Sequence, residues 1–173
     1  MAWGIDYSKK SIEIATQLSN LYNFKDKATF LVHDVTNGAL PFNDEFFDKV
    51  VAADFIEHIT HFDKEKVIKE VRRVLKTDGT LIIYTPNGIR EFFGYLKRRL
   101  LRAFKTKSNF KDETKLHFGL IDRFRFEGLL RRNNLIFKRY HVDITRPYLT
   151  SIPLLKDFLS ANFLWVIKKD GKF

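Results

Sequence analysis

The sequence contains no cysteine, which excludes disulfide bonds and zinc sites built on cysteine thiolates. It has no run of about eighteen apolar residues, so a membrane-spanning helix is not expected. Its first residues also lack the basic segment and the long apolar segment of a secretory signal peptide. These absences favour a cytoplasmic protein, and they leave peripheral contact with a membrane surface open.

The excess positive charge is confined to one part of the chain. The net charge is +10, and the segment from Arg90 to Tyr140 accounts for all of it, with fifteen Lys and Arg against five Asp and Glu. A charge concentrated in this way favours an anionic small molecule, a nucleic acid or a membrane surface as partner. A solvated basic face with no partner is the alternative.

Apolar runs alternate with stripes of helical spacing along the chain. Strands are predicted at 2–6, 28–35, 49–53 and 80–87, and helices are predicted from Ser8 and over 63–75, with Asp63 as a cap and a turn at 76–79. This alternation predicts an α/β fold with a mainly parallel sheet, in one domain covering residues 1–173. The terminal strand at 162–169 has no room for a crossover helix after it, so the two late strands, 136–144 and 162–169, are expected to be antiparallel to one another.

Polar residues follow several of these strands. Asp6, Asp34, Asp54 and Asn87 all stand at predicted carboxyl ends. In open α/β sheets ligands bind at the carboxyl ends of the strands, so these residues predict a ligand-binding rim. Capping of a helix or a turn is the alternative role for each of them.

A basic amphipathic segment occupies about 88–120. Ile89, Phe92, Phe93, Leu96 and further apolar residues form one helical stripe over 89–105, with Lys and Arg on the other faces. Three interpretations stay open: packing on the chain's own domain, contact with a membrane surface or lipid, and contact with RNA or another polyanion. Nucleic acid is the less favoured partner, because the basic residues are mixed with an apolar stripe and not with exposed stacking aromatics.

The order and spacing of these segments resemble the class I S-adenosylmethionine-dependent methyltransferases, in the small-molecule branch that includes ubiquinone-biosynthesis enzymes. WGIDYSKKSIEIA is similar to the second strand and helix of that family. The stretch VHDVTNGALPFNDEFFDKVVAADFIEHI resembles the part that runs from the adenine-contacting acid to the fourth strand. EVRRVLKTDGTLIIYTPN resembles the next helix, turn and strand. The resemblance implies a Rossmann-like sheet and S-adenosylmethionine as cofactor.

The resemblance also implies roles for particular residues. Asp6 would accept hydrogen bonds from the ribose hydroxyls, and Tyr7 would stack on the adenine. Asp34 would accept the adenine amino group, and the backbone N–H of Val35 would donate to a ring nitrogen. Ala53 and Asp54 would lie near the methionine end of the cofactor.

Two histidines are candidates for a general base, which methyl transfer needs only if the acceptor must lose a proton. His58 follows the third strand, where a structural role is the alternative. His117 lies in the basic segment that would cover the acceptor. Asp54, Glu57, His58 and His61 could suggest a metal site, but the stretch around His61 resembles a loop and no metal is predicted.

One family feature is missing from the sequence. No first strand ending in a D-x-G-x-G-x-G loop precedes the strand at 2–6, although in the family that strand is central to the sheet. Three explanations follow: an N-terminally truncated chain, a strand supplied by a partner chain, or direct pairing of the flanking strands. We expect methyl transfer to a small anionic or lipid-like acceptor in the complete protein, and weak cofactor binding by these residues alone. The alternative function is a non-catalytic, methyltransferase-like binding or scaffold protein.

Overall fold

The computed structural model describes residues 1–104, 119, 122–144, 156–157 and 159–169. They form two compact units, Met1–Pro41 and Phe42–Phe173. The strands are β1 (Ala2–Asp6), β2 (Ala28–Val32), β3 (Phe47–Ala53), β4 (Leu75–Pro86), β5 (Ile136–Ile144) and β6 (Ser160–Lys168). The α-helices are α1 (Lys9–Leu21), α2 (His61–Val74), α3 (Gly88–Phe104) and α4 (Arg123–Arg132).

The first unit is a β-α-β arrangement with a two-stranded parallel sheet. β1 and β2 pair in register, from Ala2 opposite Ala28 to Asp6 opposite Val32. Helix α1 connects them, and it begins where predicted: the Ser8 hydroxyl accepts a hydrogen bond from the Ser11 N–H at 3.2 Å. This cap satisfies one of the backbone donors that a helix leaves free at its start.

The second unit contains a four-stranded sheet in the order β3-β4-β6-β5. β3 and β4 are parallel, whereas β6 runs antiparallel to both of its neighbours, β4 and β5. The predicted α/β fold with a mostly parallel sheet and an antiparallel terminal strand is therefore confirmed. Among the described residues, β1 and β2 form one sheet, and β3, β4, β5 and β6 form the other.

One face of the four-stranded sheet carries the core. Ile83 of β4 lies opposite Trp165 of β6, and both side chains are almost fully buried. The Phe126 ring of α4 meets the Trp165 ring edge-on, with 5.1 Å between the centroids. Helix α2 contributes a buried stripe as well, which includes Val67, Ile68, Val71 and Val74. Burial of these large side chains supplies most of the stabilisation of the unit.

Two local predictions were wrong. Thr60, not Asp63, caps α2, because the Asp63 N–H donates to the Thr60 hydroxyl at 3.1 Å while that hydroxyl donates to the Asp63 carboxylate at 2.6 Å. The helix therefore starts at His61, inside the expected loop. The turn expected at 76–79 is instead the start of β4, because Leu75 pairs with Phe47 and a register shift follows.

Helix α3 confirms the predicted helix within the segment at 88–120, and residues 105–118 and 120 lie outside the described ranges. Its start is fixed by Asn87, which is fully buried. The Asn87 side-chain oxygen accepts from the Ile89 N–H at 3.2 Å, and its amide donates to the backbone carbonyls of Asp157 and Ser160. One side chain thus joins the end of β4, the start of α3 and the start of β6. None of the described helices is long and apolar enough to cross a membrane.

We expect Asn87→Ala to lower the free energy of unfolding by about 3 kcal/mol, since it removes a helix cap and leaves two buried carbonyls without their donor. Urea unfolding followed by circular dichroism measures the change. Asn43→Ala is the matched control, because Asn43 is exposed and has no hydrogen bond among the described residues. Equal stability of the two variants would contradict the role given to Asn87.

Candidate functional site

The carboxyl end of the β1–β2 sheet brings together four of the predicted cofactor residues. Asp6 ends β1 and Tyr7 follows it, while Asp34 and Val35 come just after β2. The two strands are parallel and in register, so both ends lie at one edge of the sheet. The His33 N–H donates to the Asp6 carbonyl at 3.0 Å, which extends the pairing as far as the residue before Asp34.

The Asp6 carboxylate is held in place by the backbone of the next turn. Its Oδ1 accepts a hydrogen bond from the Ser8 N–H at 2.7 Å, and the side chain is half-buried. Ser8 in turn caps α1, so the turn and the helix start fix the carboxylate together. Its Oδ2 accepts no hydrogen bond from the described part of the chain. A carboxylate oriented in this way can accept hydrogen bonds from a diol such as a ribose.

Asp34 is oriented by the same kind of turn. Its Oδ1 accepts from the Thr36 N–H at 2.9 Å and from the Thr36 hydroxyl at 2.7 Å. The hydroxyl hydrogen bond and then the backbone hydrogen bond hold the pKa of this exposed carboxyl below its ordinary value. Asp34 is therefore an anion with a fixed direction, suited to accept from an amino group of a ligand.

Tyr7 and Val35 complete this edge. The Tyr7 side chain is exposed, and Val35 is half-buried. An exposed tyrosine ring beside two oriented carboxylates can stack on a planar ligand. The residues present thus fit the adenosine part of S-adenosylmethionine. The assigned roles stay predictions, since only the arrangement of these residues is observed.

Ala53 and Asp54 lie in the second unit, at the carboxyl end of β3. Asp54 has a positive φ of 47°, a left-handed conformation that Asp tolerates better than most residues. Its N–H donates to the Tyr84 carbonyl at 3.0 Å, so β4 holds this residue in position. Both side chains are exposed. Asp54 therefore ends its strand in a tight turn, which is compatible with the predicted role and with the alternative of turn formation.

The structure describes His58 and His61, which lie in different elements. His58 ends a short 3₁₀ turn, Ile56–His58, and its side chain is exposed. His61 lies in α2 instead of a loop, and its pKa is lowered by burial and by the nearby Lys64 and Arg125. No group of three or more metal-ligating side chains occurs among the described residues. His117 lies outside the described ranges.

A buried group under the 3₁₀ turn was not anticipated from the sequence. Lys64 is fully buried, and its ammonium donates to the Ile59 carbonyl at 2.5 Å. Burial lowers the pKa of Lys64 to about 8, against the opposing effect of Glu57. The buried Glu57 carboxylate accepts from the Thr85 hydroxyl at 3.2 Å. Gly119 closes the group: its N–H donates to the Glu57 carbonyl, and a side chain there would collide with the Ile59 carbonyl.

A second buried charge cluster centres on Asp157. Its carboxylate accepts from Arg139 at 2.6 Å and from His141 at 2.7 Å, and Arg123 forms a further ion pair. Burial raises the pKa of Asp157, but the hydrogen bonds from Arg139 and His141 outweigh this and hold it below its ordinary value. Arg139 and His141 both lie on β5, but Arg123 lies on α4 and Asp157 follows His141 by 16 residues, so no spacing pattern could have revealed the cluster.

A groove of about 770 Å³ opens at the end of the second sheet where β4 and β5 begin. Its lining includes Thr77 near the start of β4, Ile136 at the start of β5 and Lys169 after β6. None of the predicted site residues that the structure describes lines it.

Comparison with known proteins gives a consistent result over the first half of the chain. Residues 1–83 match the family model described as a methyltransferase domain. The demethylmenaquinone methyltransferase of Thermotoga maritima is 37% identical over 103 residues, which are 58% of this chain and 41% of that protein. The ajmaline N-methyltransferase of Rauvolfia serpentina is 36% identical over 80 residues, which are 46% of this chain and 26% of that protein. The chain thus spans well under half the length of these two relatives.

The fold has relatives among solved structures as well. An S-adenosylmethionine-dependent methyltransferase structure from Methanosarcina mazei superposes with a TM-score of 0.67 and 20% identity, covering 99% of this chain and 83% of that one. At this identity the likeness concerns the fold alone. The predicted Rossmann-like fold is confirmed, and so is the predicted resemblance to methyltransferases over residues 1–83.

We expect Thr36→Ala to raise the pKa of Asp34 toward the ordinary value, because the substitution removes the hydroxyl hydrogen bond that contributes most to lowering it. A pH titration of the Asp34 carboxyl resonance by NMR measures the change. Thr16→Ala is the control, since the Thr16 hydroxyl donates to the Ile12 carbonyl within α1. An unchanged titration of Asp34 in the Thr36 variant would contradict the proposed orientation.

Lys64 makes a pH-dependent contribution to stability. Between the pKa of about 8 in the folded chain and the ordinary 10.5, the unfolded chain binds the proton and the folded chain does not. The free energy of unfolding should therefore rise with pH in this window, by up to about 1.4 kcal/mol per pH unit from this group. Lys64→Met should remove that rise in urea unfolding at pH 8 to 10.

The exposed Lys69 on the same helix provides the control, as Lys69→Met should keep the pH dependence of the original chain. The same slope of the unfolding free energy with pH in both variants would show that Lys64 titrates normally.

Proposed function

We propose that the protein transfers a methyl group from S-adenosylmethionine to a small acceptor, because residues 1–83 match the family model described as a methyltransferase domain. The observation that carries the proposal is the pair of oriented carboxylates, Asp6 and Asp34, at one edge of the β1–β2 sheet. Each has one oxygen engaged by its own turn. The other oxygen of each has no donor among the described residues.

In this proposal the adenosine part of the cofactor binds at that edge. Asp6 accepts from the ribose hydroxyls, and Asp34 accepts from the adenine amino group while the Val35 N–H donates to the ring. Tyr7 covers the ring from the solvent side. Bound S-adenosylmethionine supplies an activated methyl group on its sulfonium, so the protein's part is mainly to position the reactants and exclude water.

The methionine part of the cofactor needs more than these residues. Ala53 and Asp54 are proposed to lie near it, but the sequence has no glycine-rich loop that would let the backbone approach the ligand closely. We therefore propose that residues 1–173 supply the adenosine half of the site, and that full activity belongs to a protein containing the remaining half.

The free edge of β3 supports this proposal. β3 pairs with β4 and with no other described strand. Val51, in the middle of β3, is 63% exposed, which is unusual for a valine in a strand of this apolar composition. An unpaired edge with an exposed apolar face readily accepts another strand. We propose that a further strand, from a longer form of the protein or from a partner chain, pairs here.

The acceptor is proposed to be a small, anionic or lipid-like molecule. The two relatives described above are named for small organic acceptors, demethylmenaquinone and ajmaline. The basic segment after β4 would attract an acceptor with negative charge. His58, the exposed last residue of the 3₁₀ turn, and His117 are the proposed general bases if the acceptor must lose a proton.

We expect the 173-residue chain to bind S-adenosylhomocysteine weakly, with a Kd above the micromolar range. The ligand should shift the NMR amide signals of Asp6 to Ser8 and of Asp34 to Thr36, because only the adenosine part finds its partners. Asp6→Asn should remove these shifts, since the substitution converts an anionic acceptor into a neutral amide.

Asp26→Asn is the matched control, because Asp26 is an exposed aspartate in the same unit. If millimolar ligand leaves the signals at this edge unchanged in the original chain, the adenosine site is wrong. Micromolar binding by the original chain would instead show that these residues hold a complete site, contrary to the proposed division.

A further inference from the structure

Helix α3 presents large apolar side chains to solvent. Phe92, Phe93, Leu96 and Leu100 are between 40% and 61% exposed. At roughly 100° per residue these four positions fall within an arc of about 100°, so they form one continuous stripe along the helix. A contiguous apolar surface of this kind is uncommon on a soluble protein without a binding role.

Basic residues flank this stripe. The helix has five Lys and Arg and one Glu, a net charge of +4. Lys97 lies about 40° beyond one border of the stripe and Arg99 about 20° beyond the other, by the same helical spacing. Both side chains are exposed. The stripe therefore has positive charge on each of its two long sides.

Two hydrogen-bonded contacts tie the first turn of α3 to the rest of the unit. Asn87 caps the helix, and the Arg90 guanidinium donates to the Leu159 carbonyl at 3.1 Å. The apolar stripe extends for more than two turns beyond this anchor. The helix is thus fixed at its start, and the four side chains of the stripe that follows are partly exposed.

We propose that α3 binds the surface of an anionic lipid bilayer. The stripe would enter the boundary between headgroups and acyl chains, and Lys97 and Arg99 would contact lipid phosphates on either side of it. A flat anionic surface can contact the basic residues on both sides of an apolar stripe at the same time. RNA fits less well, since a polyanion would leave the contiguous aliphatic part of the stripe without a partner. Membrane binding of this kind does not depend on the methyl-transfer activity proposed above.

Flotation of the 173-residue chain with vesicles tests the proposal. We expect binding to phosphatidylcholine–phosphatidylserine vesicles and little binding to pure phosphatidylcholine, and the binding should weaken as salt screens the charges. The double variant Phe92→Ser/Phe93→Ser should lower the partition coefficient by about tenfold or more, because two large apolar side chains no longer leave water. Lys97→Glu/Arg99→Glu should lower it by about tenfold or more through charge repulsion.

Matched controls come from the first unit. Phe24→Ser replaces an equally exposed phenylalanine, and Lys9→Glu/Lys10→Glu makes the same charge change on α1. These variants should float like the original chain, and circular dichroism should show that all variants stay folded. If the control pair loses binding as much as the Lys97/Arg99 pair, net charge explains the binding and not α3.

Three further outcomes would overturn the proposal. The chain could fail to float with anionic vesicles at low salt, or float equally with neutral ones. It could bind single-stranded RNA and not vesicles, with the phenylalanine variant losing that binding. It could form a dimer in size-exclusion chromatography that the phenylalanine variant dissociates, with no vesicle binding, which would make a second copy the occupant of the stripe.

Discussion

The second unit depends on β6 being paired along both of its edges. This strand runs antiparallel between β4 and β5, so it satisfies the backbone groups of both neighbours. Its buried residues Phe163, Trp165 and Ile167 form the centre of the core on one face of the sheet. Ser160, at its start, accepts from the Asn87 amide, which ties α3 to the same strand. The core, the order of the sheet and the anchor of α3 therefore all depend on β6.

The candidate site depends on a simpler constraint, the parallel register of β1 and β2. Because Asp6 lies opposite Val32, the turn after β2 brings Asp34 to the same edge of the sheet. Each carboxylate is then oriented by a backbone N–H two residues later, from Ser8 or from Thr36. Aspartate forms such turns readily, because its side chain can accept a hydrogen bond from the backbone two residues later. The second carboxylate oxygen then stays available as an acceptor for a ligand. The proposed cofactor role of this arrangement rests on the match of residues 1–83 to a methyltransferase domain.

Sequence reasoning succeeded where the signal is local. The period of the apolar residues and the cap at Ser8 located α1, and the apolar runs located five of the strands to within a few residues. It failed where pairing overrides local preference. Lys76 to Gly79 has the composition of a turn, but the pairing of Leu75 with Phe47 begins a strand there. It also failed at the start of α2, because Thr60 and Asp63 each have the side chain of a helix cap.

By itself the sequence determined the class of fold, the order of its elements, the positions of Asp6 and Asp34 at strand ends, and the basic, amphipathic character of α3. These follow from residue type and spacing along a few turns of chain. The tertiary structure decided the burial of Lys64 and the cluster around Asp157, whose partners Arg123 and Arg139 lie on other elements. Such groups exist only after distant segments pack together, because their energetics depend on burial and on partners that no local pattern encodes.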